Sequence, residues 1–299
     1  MSRIDVLGIG AAAIDDTIYI SGVPPADGKA RVLGRSRNFG GQTATALAAA
    51  ARLGATSQYA GMLGSDPDSL AVVRDLRKAG VVVPRKAIYH DARPVRSTII
   101  TSVDRGTRSI YFDNPPLAGA DPNIPESTVR SARVLLLDGF GIEGSLRAAQ
   151  VAHIATIPVV ADIEVIDAQA LPRLLEFVDH LILSAHVAQV LTGTADFALA
   201  LRTLWNGARK LAAITDGAHG CWVATSDTGP VEHIAAYEVE PVDTTGCGDV
   251  FHGAYAAALA FGYPIRGAIR FATVAAALKA SRLGTREGLP HREEVEARL

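Results

Sequence analysis

An α/β fold with a parallel sheet covered on both faces is the class this sequence predicts, on three observations. Strand-like apolar runs alternate with helical patterns almost from end to end. A length of 299 residues and a hydrophobic content of 48% suit one large α/β domain with at most a small appendage. Two stretches, 16–37 and 95–112, break the alternation with β-branched and charged residues that lack helical periodicity, and predict a small sheet standing off the main body.

Taken in order, 5–9 reads as a strand, 43–53 as an alanine-rich helix closed by Gly54, and 58–62 as a short strand. Pro67–Lys78 is an amphipathic helix closed by Gly80. Within the second β-rich stretch, 98–103 and 109–112 flank Asp104-Arg105-Gly106-Thr107, a hairpin turn. Residues 133–137 and 158–161 are strands with a helix over 146–154 between them. The series continues with 180–183, 212–215 and Cys221–Ala224, and ends in two long helices, 250–261 and 265–282.

Composition excludes several classes. A formal charge of −2 offers no basic footprint for nucleic acid. The alanine-rich run 44–51 is too short to span a bilayer and is broken by Arg52, so no membrane partner is expected. The chain starts Met-Ser-Arg-Ile-Asp without a signal-peptide layout. Cys221 and Cys247 could form at most one disulfide and lack metal-ligand spacing, which points to a cytoplasmic location.

The most informative stretch is Asp243-Thr244-Thr245-Gly246-Cys247-Gly248-Asp249, which runs straight into an apolar segment. Small residues let successive backbone N–H groups converge, and a helix start adds unpaired donors and the positive end of its dipole. Such a hole suits the charge of a phosphoryl group in transfer, and a carboxylate inside it makes sense as a base. An ordinary strand–turn–helix cap is the competing reading. Asp15, just past an apolar strand, lies where open α/β sheets bind ligands, or caps a turn. The pair Gly40-Gly41 would let a ligand approach the backbone, or merely open the next helix. Lys29 is either solvated surface or a contact for a polar substrate group.

The DTxGxGDxFxG spacing from Asp243 to Gly253 closely resembles the C-terminal motif of the ribokinase-like (PfkB) carbohydrate kinases. The resemblance covers nearly the whole chain, including 48–54 and the tail from Arg270 to Pro290. It implies one kinase domain over 1–299, a ribokinase-like three-layer α/β/α sandwich with a mainly parallel sheet, and a β-sheet lid built from 16–37 and 95–112. It also implies Asp249 as catalytic base, with Gly246, Cys247 and Gly248 as anion-hole donors. Cys247 stands where the family usually has alanine, and only its N–H is needed.

Further positions follow from the resemblance. Asp15 keeps the family's spacing of five from Gly10 and would bind sugar hydroxyls, with Lys29, Gly40, Gly41 and Thr45 as further substrate contacts. Gln42 and Thr45 replace the two asparagines of the family's GGN-x-x-N. Thr215, Gly217 and Gly220 match its T-x-G-x-x-G segment at the nucleotide, joined by Thr245. Asp243 and Thr245 match positions that help hold a monovalent cation, K+, in many relatives, and they also fit a simple turn. The family's N-x-x-E is absent from 184–187, so Mg2+ accompanying ATP would find other partners, with Asp162 and Glu164 as candidates, although Asp162 fits a structural cap equally well.

Among the branches, the sulfofructose kinases share the Asp15-to-Lys29 spacing and the block around Cys247. Their sulfonate-binding arginine has no counterpart in 137–141, so an uncharged or differently charged sugar such as a ketose is expected. A homodimer through the lid sheets is expected, because small exposed sheets leave edges that seek partners. A nucleoside kinase is the rival within the class, weakened by few lid aromatics (Tyr19, Tyr111, Phe112). A non-catalytic sugar or nucleotide binder would have no use for Asp249. A dinucleotide oxidoreductase lacks its GxGxxG after the first strand.

Overall fold

The computed structural model describes residues 3–84, 89, 91–105, 107–164 and 166–299. Apolar alternation builds the central sheet. In β1 (Ile4–Ile9), Val6 packs to one face and Leu7 and Ile9 to the other. The chain next forms β2 (Ala13–Ile20) and β3 (Val32–Gly40), then α1 (Gln42–Arg52), β4 (Ser57–Tyr59), β5 (Gly61–Met62) and α2 (Pro67–Lys78). After β6 (Val95–Ser102), β7 (Thr107–Asp113) and β8 (Gly119–Ala120) come α3 (Glu126–Arg130), β9 (Ala132–Asp138), α4 (Ile142–Ile154) and β10 (Val159–Asp162). The rest is α5 (Ala170–Leu175), β11 (His180–Ser184), α6 (Ala185–Thr192), α7 (Phe197–Leu204), β12 (Leu211–Thr215), β13 (Cys221–Ala224), β14 (Glu232–Ile234), α8 (Cys247–Ala260), α9 (Ile265–Ala280) and α10 (Arg292–Glu296).

Eight strands form the main sheet in the order β14-β13-β12-β11-β10-β9-β1-β4. Pairing is parallel from β4 to β12 and antiparallel at β12–β13 and β13–β14. The period of two repeats in each central strand. Val134, Leu136, Val160 and Ile182 face the layer of α1, α8 and α9, while Leu135, Leu137, Val159 and Leu181 face the layer of α4 to α7. This is a three-layer α/β/α sandwich with a mostly parallel sheet. A second, four-stranded sheet, β3-β2-β6-β7, stands apart with mixed pairing.

Several elements differ from expectation, each for a local reason. Residues 58–62 split into β4 and β5, because Gly61 turns the chain where a Cβ would lie 2.3 Å from the Tyr59 hydroxyl and 2.4 Å from the Gly10 carbonyl. Helix α4 starts at Ile142 instead of 146, from the left-handed Gly141 at φ 70°, and Gly144 disguises its first turn. Helix α8 starts at Cys247, three residues before the expected 250. Helices α3, α5, α6, α7 and α10 and strand β14 were not anticipated. The hairpin of β6 and β7 pairs Ser102 with Thr107, while Gly106 of its expected turn lies outside the described residues.

Candidate active site

The glycine motif turns directly into the start of α8. Gly246 caps α8 in the left-handed region at φ 75°, where a Cβ would lie 2.9 Å from the Thr285 methyl. Asp249 is the third helical residue, half-buried, its Oδ2 3.6 Å from where that Cβ would be. The last glycine of the motif, Gly253, lets α8 pack tightly on α1, since a Cβ there would meet the Ala46 carbonyl at 2.0 Å. That contact seats the buried Thr45 beside Gly246. Of the expected donors, the Cys247 amide already leans on the Thr244 carbonyl at a long 3.3 Å, and the space around Gly248 is open. Burial pushes the Cys247 thiol up to about 11. It also pushes the Asp249 carboxyl well above the usual aspartate range, with the charges of Asp162 and Glu164 adding to the rise.

Asp15 lies on β2 between Asn38 of β3 and Ser97 of β6. Gly40 is glycine because of it: a Cβ at 40 would sit 2.3 Å from Asp15 Oδ2. Gly41, at φ 90°, caps α1 against the backbone of Ala11 to Ala13. Burial raises the Asp15 carboxyl, while the Ser97 hydroxyl and Arg286 pull it down. Asp16, its neighbour, turns outward to Arg37 (2.7 Å) and Arg96 (2.8 Å).

Arg286, outside the glycine motif, acts on both carboxylates, Asp15 and Asp249, through its charge while its hydrogen bonds go elsewhere. Its Nε donates to Asp75 Oδ2 at 3.1 Å and its Nη1 to the Ala44 carbonyl at 2.7 Å. The Nη2 is buried without a protein partner. Its charge lowers both Asp15 and Asp249. The only sequence signal is an arginine in the glycine-flanked loop 284–288.

Asp138, at the end of β9, is a second unanticipated group. It is fully buried and accepts from the amide of Ala11 (2.7 Å), the hydroxyl of Thr43 (2.8 Å) and the amide of Phe140 (2.8 Å). It thereby ties β1, α1 and β9 beneath Gly10 and Gly41. Burial pushes it up to about 7 against those bonds. Asp162 lies at the end of β10, 3.2 Å from Nδ1 of the buried His252. Glu164 stands exposed two residues on.

A cavity of about 660 Å³ opens beside the motif. Thr215, Gly217 and Gly220 line it with Cys247, Gly248 and Phe251, and its far wall is Tyr237 to Val239 with Ala276, Ala277 and Ala280. Gly220, at φ 88°, has no room for a side chain, since a Cβ would meet the Ile234 carbonyl at 2.2 Å. His219 projects into solvent, with Nδ1 3.0 Å from Asp216 Oδ2. Two expected contacts stand apart: Lys29 is exposed in the loop between β2 and β3, and Thr245 is exposed outside the cavity lining, where Arg108 of β7 reaches it at 3.4 Å.

An apolar cleft that ends at a glycine-capped helix, with a carboxylate in the first turn, is the layout of a phosphotransferase. The chain belongs to the pfkB family of carbohydrate kinases, whose model matches residues 4–292. It is 32% identical to the ribokinase of Bacillus subtilis (strain 168) over 300 residues, covering 97% of this chain and 98% of that one. The crystal structure of a candidate ribokinase from Agrobacterium tumefaciens superposes with a TM-score of 0.87 at 30% identity, covering 98% of this chain and 96% of that one. Arabidopsis thaliana ribokinase, in a structure complexed with ribose and ATP, also reaches a TM-score of 0.87, at 21% identity and with coverage of 99% and 98%.

Proposed function

We propose that this kinase transfers the γ-phosphate of ATP to a hydroxyl of a small sugar, a ketose or its derivative, with Asp249 as the general base. The observation that carries the reading is the glycine-capped start of α8 with Asp249 in its first turn, opening on the cavity lined by Thr215, Gly217 and Gly220. Asp15 would hold sugar hydroxyls over Gly40 and Gly41, where the backbone is bare. Asp249 would take the proton of the attacking hydroxyl as its oxygen bonds to the γ-phosphorus and ADP leaves. Amides of the first turn of α8 and the helix dipole would stabilise the charge in transfer. The adenosine end would lie in the 660 Å³ cavity lined by Thr215, Gly217 and Gly220.

Magnesium accompanying ATP would neutralise phosphate charge when bound, and Asp162 and Glu164, whose charges act on Asp249, would be its nearest acidic partners, although the described residues hold no ready-made metal cluster there. Thr45 retains a buried hydroxyl without a partner, which suits ligand contact at the start of α1. The small sheet would close over Asp15 as a lid, because β2 carries that carboxylate and Arg108 of β7 already reaches Thr245. Its outer strand would pair two copies into a homodimer, and free cysteines suit a cytoplasmic location. No helix among the described residues is long and apolar enough to cross a membrane. The test is ADP release across ketoses, aldoses, sugar phosphates and nucleosides, with magnesium. Turnover on a sugar supports the reading. Turnover on nucleosides alone would replace the sugar with a nucleoside.

A further inference from the structure

The expected potassium site at Asp243 and Thr245 meets a side chain already in place. Lys279, on the last turn of α9, is fully buried. Its Nζ donates to the Asp243 backbone carbonyl at 2.7 Å and lies 3.4 Å from Asp243 Oδ2. A lysine is almost never fully buried unless it is paired. The other Asp243 acceptors are committed too. Thr245 N–H donates to Oδ1 at 2.9 Å and Gly284 N–H to Oδ2 at 3.0 Å. The amides of Val242 and Asp243 both donate to the Ala280 carbonyl, at 2.7 and 3.0 Å, so this loop is stapled to the C-terminal end of α9. A cation is favoured there by the helix dipole. Thr245 Oγ1 accepts from Arg108. A monovalent ion needs several carbonyl, hydroxyl or carboxylate oxygens turned to one point. Here those oxygens already face an ammonium and three N–H donors, and a second cation would meet like charge. These residues do not fit potassium.

We propose that the Lys279 ammonium is a built-in cation that replaces the monovalent ion and frees this kinase from potassium dependence. Lys279 is then a positioning residue. It fixes Asp243, Asp243 fixes Thr245 and Gly284, and the loop delivers Gly246 and Asp249 to the phosphoryl group. The inference rests on the kinase reading but not on the identity of the sugar.

The test compares the wild-type chain with Lys279→Ala in chlorides of potassium, sodium and tetramethylammonium at constant ionic strength. Three readouts are taken: thermal midpoint without ligand, ADP affinity with magnesium, and turnover. In the wild type all three should be insensitive to the choice of cation. In tetramethylammonium, Lys279→Ala should lose about tenfold or more in ADP affinity and turnover, the worth of a hydrogen bond to a charged group, and potassium should restore both. Strong potassium stimulation of the wild type overturns the proposal. So does a Lys279→Ala protein that folds and matches wild type in tetramethylammonium, or one that is impaired and not rescued by potassium, which would make Lys279 a plain structural staple. If Lys279→Ala does not fold, the wild-type salt comparison decides alone. ADP affinity needs no sugar, so cation-independent binding without turnover on any sugar would sink the sugar reading and leave Lys279 assigned.

Discussion

In the proposed mechanism Asp249 is the base and Arg286 tunes it through its charge. Asp249→Asn keeps the side chain's shape but cannot take a proton, so kcat should fall about 10²–10⁴-fold with the fold intact, checked by steady-state ADP release and circular dichroism. Its raised carboxyl pKa has a kinetic signature. The base works only after losing its proton, so kcat/KM should climb with pH through a midpoint above the ordinary aspartate value of about 4. Arg286 holds that pKa down, so Arg286→Met should move the acidic limb to still higher pH as well as raise KM. An unmoved limb in a pH–rate profile would remove Arg286 from the account. The local geometry of the motif glycines and of Asp249 in the first turn of a helix is legible because a turn and a helix start constrain residue type locally. Arg286, Asp138 and Lys279 are not, because each earns its place by contacts with distant segments: Ala44 and Asp75, Ala11 and Thr43, and Asp243.

At the scale of elements, the site hangs on where helices begin. Gly246 sits at φ 75° against Thr285, so Gly246→Val should cost at least the roughly 1–2 kcal/mol of a left-handed side chain, and should also fill the anion hole. A lower urea midpoint together with lost turnover would show both effects. The sequence placed α8 three residues late because its periodicity begins with Val250, whereas the cap, not the apolar stripe, sets a helix start. Strands were read well, since β1, β9, β10 and β11 are buried on both faces and appear as continuous apolar runs. Helices α5 to α7 escaped because they are short, and α5 carries Pro172 within it.

The whole molecule gathers its acids at one end of the sheet. Asp15, Asp138, Asp162 and Asp249 are all raised, chiefly by burial. Between about pH 4 and 7 these four carboxyls hold more protons in the native state than in the unfolded chain, so they make stability fall as pH rises through that window, against the opposing contribution of buried His180, which burial lowers to about 4. The unliganded protein should melt at a lower temperature at pH 8 than at pH 5.5 in differential scanning fluorimetry. Glu294, held at about 2 by Arg282 and the His291 amide, works in the opposite sense only in stronger acid. On the small sheet, Ile110 is 50% exposed and Tyr111 and Phe112 are each 63% exposed, an apolar row on an outer strand. Light scattering should give a dimer of the 31.3 kDa chain, and Tyr111→Asp with Phe112→Asp should split it.

The most direct test of the central claim is magnesium-dependent ADP release over the panel of ketoses, aldoses, sugar phosphates and nucleosides, with wild type and Asp249→Asn side by side. At least one sugar should drive release in the wild type, and Asp249→Asn should abolish nearly all of it. Equal release by both proteins would contradict the assignment of Asp249 and, with it, the proposed mechanism.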